Sequence, residues 1–265
     1  MKKKIRLLIT ISLVLSFVIS ITVIGIKRLD YHNGAEDYFN AQLVAGLSTM
    51  PRELPEEAEE TDFWAEALAG TDLVSLRAVN PEVIGWIAIP ETELSYPVLQ
   101  AEDNKYYLNH TWNNDQSSVG SIFMECQISP NMRSFNTIIY GHKMRNGSMF
   151  GNLLNYDDIE YWKEHPSIYV VTDEGVCRYD IFAAYEVGVR EIVYRININS
   201  KKRRSDFIQF CLKNSTIDTG IVPTVQDKVL TLSTCTGRGH STRFVVQGVL
   251  HGVFPAAASD DELSS

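Results

Sequence analysis

Cys235 closes a β-branched run in which Val229, Thr231, Ser233 and Cys235 alternate with Leu230, Leu232 and Thr234. In an extended strand the sulfur then shares a face with hydroxyls while the leucines point the other way, so Cys235 does not read as a core cysteine. The other three, Cys126, Cys177 and Cys211, lie in the apolar runs SIFMEC, GVCRYDIF and DFIQFC, where a cysteine reads as a small buried hydrophobe. An even count outside the cytoplasm would allow disulfides, but no CxxC pair exists, so neither a zinc site nor a dithiol redox site is indicated. No metal or cofactor is expected. What remains for Cys235 is nucleophilic chemistry, which needs a proton-handling partner and a group that stabilises an oxyanion.

His142 fits the first need. It follows the apolar run 137–141 where a polar loop (143–148) begins, a usual place for a catalytic group carried on a rigid scaffold. Arg243 fits the second. It opens a new β-like run after the small, polar loop 236–242, and antiparallel pairing with the Cys235 run would set the two strand ends ~5 Å apart. A guanidinium and an imidazolium nearby both favour the ionised form of a thiol. Taken singly, a His after Gly is more often a turn residue and an Arg at a strand start a surface charge; the three together point to catalysis. Arg238 and His240 rival them from the loop itself, but that loop lacks β-type spacing to hold a side chain in place.

The elements that must position these residues follow from periodicity. Residues 84–89, 94–99, 120–124, 137–140, 168–172, 176–187, 228–234 and 243–251 form short β-branched runs bounded by Pro, Gly and Asn, the pattern of a mainly β closed sheet or sandwich. Helical insertions are expected at 103–108, 150–162 and 205–213, with the basic cluster Lys201 to Arg204 read as a solvated turn leading into the last of these. Before the strands, 33–49 and 61–79 show helical spacing and are joined by an acidic, Pro-bearing linker at 51–60.

The chain begins differently. Residues 7–26 carry no charge and are almost all Leu, Ile, Val and Phe, long enough at ~1.5 Å per residue to cross the ~30 Å hydrocarbon layer. Lys2, Lys3, Lys4 and Arg6 precede the run, so the positive-inside bias keeps the N-terminus cytoplasmic and places the bulk of the chain outside. A cleaved signal peptide would want a shorter apolar run and a small-residue cleavage site, whereas this one ends in Ile24, Gly25, Ile26, Lys27. The expected organisation is a cytoplasmic tip (1–6), a transmembrane anchor (7–26), a helical stalk or cap (27–80), a catalytic domain (81–254) and a flexible acidic tail (255–265). With 45% hydrophobic and 22% charged residues in 265, the chain can bury a large core. Its net charge of −9 makes nucleic acid an unsuitable partner.

Residues 231–235 read TLSTC, with Arg243 downstream and Tyr140-Gly141-His142 far upstream. In this the chain resembles the sortases, the cysteine transpeptidases of Gram-positive cell surfaces, and within them class B. The TLSTC form, the N-terminal helices, the strand containing Tyr96-Pro97-Val98 and the helix before the TLSTC run are similar to that class, and the resemblance spans roughly residues 74–253. It implies a closed eight-stranded β-barrel with N-terminal and inserted helices. It makes His142, Cys235 and Arg243 the catalytic residues, and Asn104, Leu108, Tyr140, Tyr194 and Ser233 the lining of a groove for a sorting peptide. Thr236 stands where some class B members carry an acidic side chain.

The same resemblance implies a reaction. Cys235 attacks the carbonyl of Thr in a C-terminal sorting motif (NPxTG, NPxTN or related), His142 protonates the leaving amine, and a second amine resolves the thioester. Partners would be secreted proteins bearing the sorting signal and a peptidoglycan precursor or cross-bridge amine; a pilus-type variant would use a Lys of another subunit. Other classes fit less well. A papain-like hydrolase places its Cys before its His, the reverse of the order here. An L,D-transpeptidase would show a Ser-His-Gly-Cys-type segment instead of Leu232-Ser233-Thr234-Cys235. A non-catalytic tethered β-domain would leave Cys235 inert to alkylating reagents.

Overall fold

The computed structural model describes residues 2–47, 62–237 and 241–256. The expected linker at 51–60, the rivals Arg238 and His240, and nearly all of the expected tail lie outside the described residues. The β-branched runs become β1 (Val83–Ala88), β2 (Ser95–Leu99), β3 (Ile122–Met124), β4 (Asn136–Tyr140), β5 (Ser167–Thr172), β6 (Gly175–Gly188), β7 (Val229–Cys235) and β8 (Thr242–Phe254). They close into one barrel in the order β1-β2-β3-β4-β7-β8-β6-β5. Two neighbour pairs, β2–β3 and β4–β7, are parallel, and the rest are antiparallel.

The barrel interior is filled by side chains that share one face of the register, such as Ile87, Val98, Ile122, Ile139, Leu230 and Leu232, all buried. A second apolar cluster sits on the outside of β6, β7 and β8. There the helix α5 (Lys201–Asn214) lays Phe207, Ile208 and Cys211 against Phe182, Val229 and Val245. This covering helix has a consequence for β7. On its hydroxyl face Thr231 and Ser233 are buried and hydrogen-bonded, Thr231 to Asn136 at 2.7 Å and to Gln247 at 3.0 Å, and Ser233 to Tyr194 at 2.9 Å. Gln247 in turn accepts from the Tyr185 hydroxyl at 2.9 Å.

The helices depart from the expected boundaries for identifiable reasons. A single helix, α1 (Lys2–Val44), runs unbroken through the apolar span and the first expected stalk helix. The 61–79 stretch is two short helices, α2 (Phe63–Ala69) and α3 (Leu73–Val79), because Asp62 and Asp72 each accept a backbone N–H and start a separate helix. The insertion at 103–108 is a single 3-10 turn, Tyr106–Leu108, and that at 150–162 is a 3-10 turn, Gly151–Asp157, followed by α4 (Ile159–Glu164), whose N-cap is Asp158. Lys201 to Arg204 form the first turn of α5 itself, capped by Ser200, and Arg204 binds the Ile198 and Val225 carbonyls.

The first part of α1 is exposed along its apolar length, and its most apolar window has a mean hydropathy of 2.7. The second part is docked on the barrel. Asp30 accepts from Ser117 Oγ at 2.7 Å and from Ser118, Trp112 Nε1 donates to the Asp37 carbonyl at 2.8 Å, and the Tyr38 hydroxyl donates to the Gly120 carbonyl. Gly34 permits this approach, since a Cβ there would lie 2.7 Å from Val119 Cγ2.

Asp62 fastens α2 to the barrel wall. It accepts from Ala65 N at 3.1 Å, from the Tyr169 hydroxyl at 2.9 Å and from Arg178 Nη1 at 3.0 Å, with only 7% of its side chain exposed. Asp62→Ala removes a helix cap, leaves the buried Tyr169 phenol without this acceptor and takes one of two carboxylate partners from Arg178, which keeps Asp180 at 2.8 Å. It is expected to lower stability by about 1–3 kcal/mol in denaturant unfolding.

Candidate active site

The register of three adjacent strands brings the chemistry together at one rim. β4 and β7 run parallel with Tyr140 opposite Ser233. The pairing is carried past the strand end by Gly141 N donating to the Ser233 carbonyl at 3.2 Å and Thr234 Oγ1 donating to the Gly141 carbonyl at 2.8 Å. His142 therefore follows on one side of Cys235. On the other side β8 runs antiparallel to β7, and Cys235 and Arg243 are direct cross-strand partners with side chains on one face. Cys235, His142 and Arg243 are each half-buried, open enough for a substrate to reach.

Local bonds fix the imidazole. His142 Nε2 lies 2.6 Å from the Leu108 carbonyl, which can only accept, so Nε2 carries the proton and Nδ1 is the nitrogen free to exchange one. Its carbonyl accepts from Phe150 N at 3.0 Å. Lys143 Nζ donates to the Thr236 carbonyl at 3.1 Å, tying the loop after β4 to the loop after β7. Gly120 packs against the ring, and the same residue receives the Tyr38 hydroxyl, so α1 connects to His142 through a single backbone unit. Arg243 Nη1 donates to the Thr242 carbonyl at 2.9 Å, and Thr236 and Thr242 share a hydroxyl contact at 3.1 Å across the neck of the loop.

The residues expected to line a groove fall into linked groups. Tyr194 and Ser233 share a hydroxyl hydrogen bond at 2.9 Å. Burial pushes the Tyr194 phenol up and the Cys235 sulfur adds to this, while the bond to Ser233 and the Arg243 guanidinium oppose it. Asn104 and Tyr140 are joined through Glu125, whose Oε2 accepts from Asn104 Nδ2 at 2.8 Å and from the Tyr140 hydroxyl at 2.9 Å. Leu108 exposes 44% of its surface while its carbonyl holds His142. Glu125 was not singled out from the sequence. The signal was there, a carboxylate at the end of the apolar run SIFMEC, because a charged residue among buried neighbours has to answer to specific donors.

The other cysteines are poorly suited to nucleophilic chemistry. All four are free thiols. Burial pushes Cys211 up to about 12 and raises Cys177, and Cys126 is raised by burial and by the adjacent Glu125. Among the described residues, no group of three or more His, Cys, Asp or Glu could hold a metal ion.

A closed mixed barrel with a cysteine, a histidine and an arginine at neighbouring strand ends defines a class of cysteine transpeptidase. Residues 87–251 match the model of the sortase domain. The chain is 34% identical over 183 residues to sortase B of Listeria monocytogenes, covering 68% of this chain and 74% of that protein. It superposes on a Staphylococcus aureus sortase B–substrate complex with a TM-score of 0.65 at 30% identity, covering 68% of this chain and 85% of that one. For sortase B from Bacillus anthracis the TM-score is 0.69 at 28% identity, covering 84% and 98%. The chain belongs to the sortase family, the cysteine transpeptidases, and its likeness within that family is to class B.

Proposed function

We propose that the chain is a membrane-anchored class B sortase in which Cys235 is the nucleophile, His142 the proton carrier and Arg243 the oxyanion and backbone donor. The observation that carries this is the direct pairing of Cys235 with Arg243 at the end of β7, with His142 one strand further on. The Cys235 thiolate attacks the carbonyl of Thr in a C-terminal sorting motif of NPxTG or NPxTN type. Collapse of the tetrahedral intermediate breaks the Thr amide, and the imidazolium of His142 gives its proton to the departing amine. The result is a thioester between Thr and Cys235. The now neutral His142 takes a proton from an incoming amine, of a peptidoglycan precursor or cross-bridge, which displaces the sulfur and forms a new amide. Arg243 stabilises the oxyanion formed in each half-reaction.

Asn104, Leu108, Tyr140, Tyr194 and Ser233 form the groove for the peptide, which supports a substrate running past β4 and β7 toward Cys235. The exposed apolar half of α1, preceded by Lys2, Lys3, Lys4 and Arg6, supports a single span with the N-terminus in the cytoplasm and the barrel outside. The acyl donors are then secreted proteins that carry the sorting signal.

The test is mass spectrometry of the full-length protein in detergent, incubated with a panel of sorting peptides without an amine. The expected product is an adduct on Cys235 ending at Thr, discharged on adding a primary amine. No adduct with any peptide, or an adduct on another residue, would overturn the assignment.

Arg243→Lys keeps the charge but removes the planar fork, so two directed hydrogen bonds become one mobile point charge. Acylation is expected to slow by about 10- to 100-fold, measured as single-turnover adduct formation.

A further inference from the structure

Glu125 follows β3, is 7% exposed, and gathers four donors on its carboxylate. Oε1 takes the Gln127 N–H at 3.2 Å and the Cys126 thiol at 3.5 Å, and Oε2 takes Asn104 Nδ2 and the Tyr140 hydroxyl. Among the described residues, none of the ion pairs includes it. A buried carboxylate held only by neutral donors is costly, and a well-packed apolar residue would serve the barrel better.

Its effect is on the donors. Asn104 is held at both ends of its amide: Oδ1 accepts from Cys126 N at 2.8 Å, and Nδ2 gives one of its two protons to Glu125. The amide therefore keeps this orientation, with Nδ2 on the Glu125 side retaining one N–H and Oδ1 on the Cys126 side retaining one lone pair. The Tyr140 phenol has one proton, which goes to Glu125. Burial and the neighbouring Glu125 charge push its ionisation well above the usual phenol range, so it stays protonated and offers other molecules only lone pairs.

We propose that Glu125 is a specificity-determining positioning residue, which fixes Asn104 as donor and Tyr140 as acceptor so that this part of the groove selects a side-chain carboxamide on the peptide. This deepens the function proposed above and rests on it. A carboxamide supplies one acceptor and one donor to match. A carboxylate lacks the donor, and an alkyl group leaves both protein groups unpaired.

Glu125→Gln keeps the shape but leaves one acceptor oxygen for four donors, so its new NH2 opposes either the Asn104–Tyr140 pair or the Gln127 N–H and Cys126 thiol, and the two pairs can no longer both be held. The experiment measures kcat and KM of full-length wild type and E125Q with NPxT-type peptides headed by Asn, Asp or Ala. The Cys235 alkylation rate and the melting temperature are followed in parallel. The wild type is expected to prefer Asn over Asp, and E125Q to lose at least ~tenfold of that preference, mainly through KM, with alkylation unchanged. Glu125→Asp, which keeps an acceptor-only carboxylate, is expected to restore most of it. If E125Q does not fold, Tyr140→Phe carries the test and must lose a similar share of the preference.

An unchanged preference in the folded variant overturns the inference alone, as does a wild type that forms Cys235 adducts with no preference for Asn. A wild type that forms no Cys235 adduct with any peptide overturns both this inference and the proposed function.

Discussion

A Cys235→Ala protein is expected to form no acyl adduct and to transfer no peptide, a fall on the order of 10⁴-fold or more in single-turnover rate, while melting as the wild type does. The loss is large because no other thiol can stand in. Cys211 and Cys177 are buried and their thiols raised, and Cys126 is raised beside the Glu125 carboxylate. Only Cys235 stands between an imidazole-bearing strand end and a guanidinium-bearing one. The fold should be spared because the sulfur is half-buried at a strand terminus, and β7 is held by backbone pairing on both sides. Iodoacetamide at neutral pH gives an independent reading. Cys235 should be labelled first, and the alanine variant should lose that fast phase while the slower phases remain.

Gly120→Val is expected to lower acylation on the order of 10²-fold or more without touching a reacting atom. Gly120 has a φ of +62°, in the left-handed region that a β-branched residue avoids. A Cβ there would lie 2.8 Å from His142 Cδ2, 2.8 Å from the Tyr107 carbonyl oxygen and 2.9 Å from the Leu108 carbonyl oxygen. Two of those three atoms belong to the pair that orients the imidazole, so the ring and its anchor must separate. The Tyr38 bond to the Gly120 carbonyl resists relief by movement toward α1. Peptide KM should change much less than kcat, because Asn104, Tyr140 and Glu125 are tied together independently of Gly120. Acylation at the wild-type rate in a folded Gly120→Val protein would show that the Leu108 carbonyl does not orient His142.

The sequence carried the candidate active-site residues where local pattern alone singles them out. Period-two alternation in residues 229–235 put Cys235 on the hydroxyl face, and the loop between Thr236 and Thr242 lets β8 return with Arg243 opposite it. The eight β runs were visible for the same reason, since β-branched residues between turn formers need no distant partner to be recognised. Where helix boundaries differed, local signals still explain the result: Asp62, Asp72 and Asp158 each accept a backbone N–H and start a helix.

Other features depend on chain segments that meet only after folding. Burial of the outer face of β7 depends on α5, and the link from α1 to His142 depends on Gly34 meeting Val119 and Tyr38 meeting Gly120. The role of Glu125 depends on donors from residues 104 and 140, on either side of it in the chain. Side-chain period alone assigns a residue to a face of a strand and reads out the candidate nucleophile, the strands and the apolar span. It says nothing of which strand lies alongside. The parallel pairing of β4 with β7, which sets His142 beside Cys235, joins segments whose contact is made only when the barrel closes, because a strand's neighbour is chosen by packing of the whole sheet.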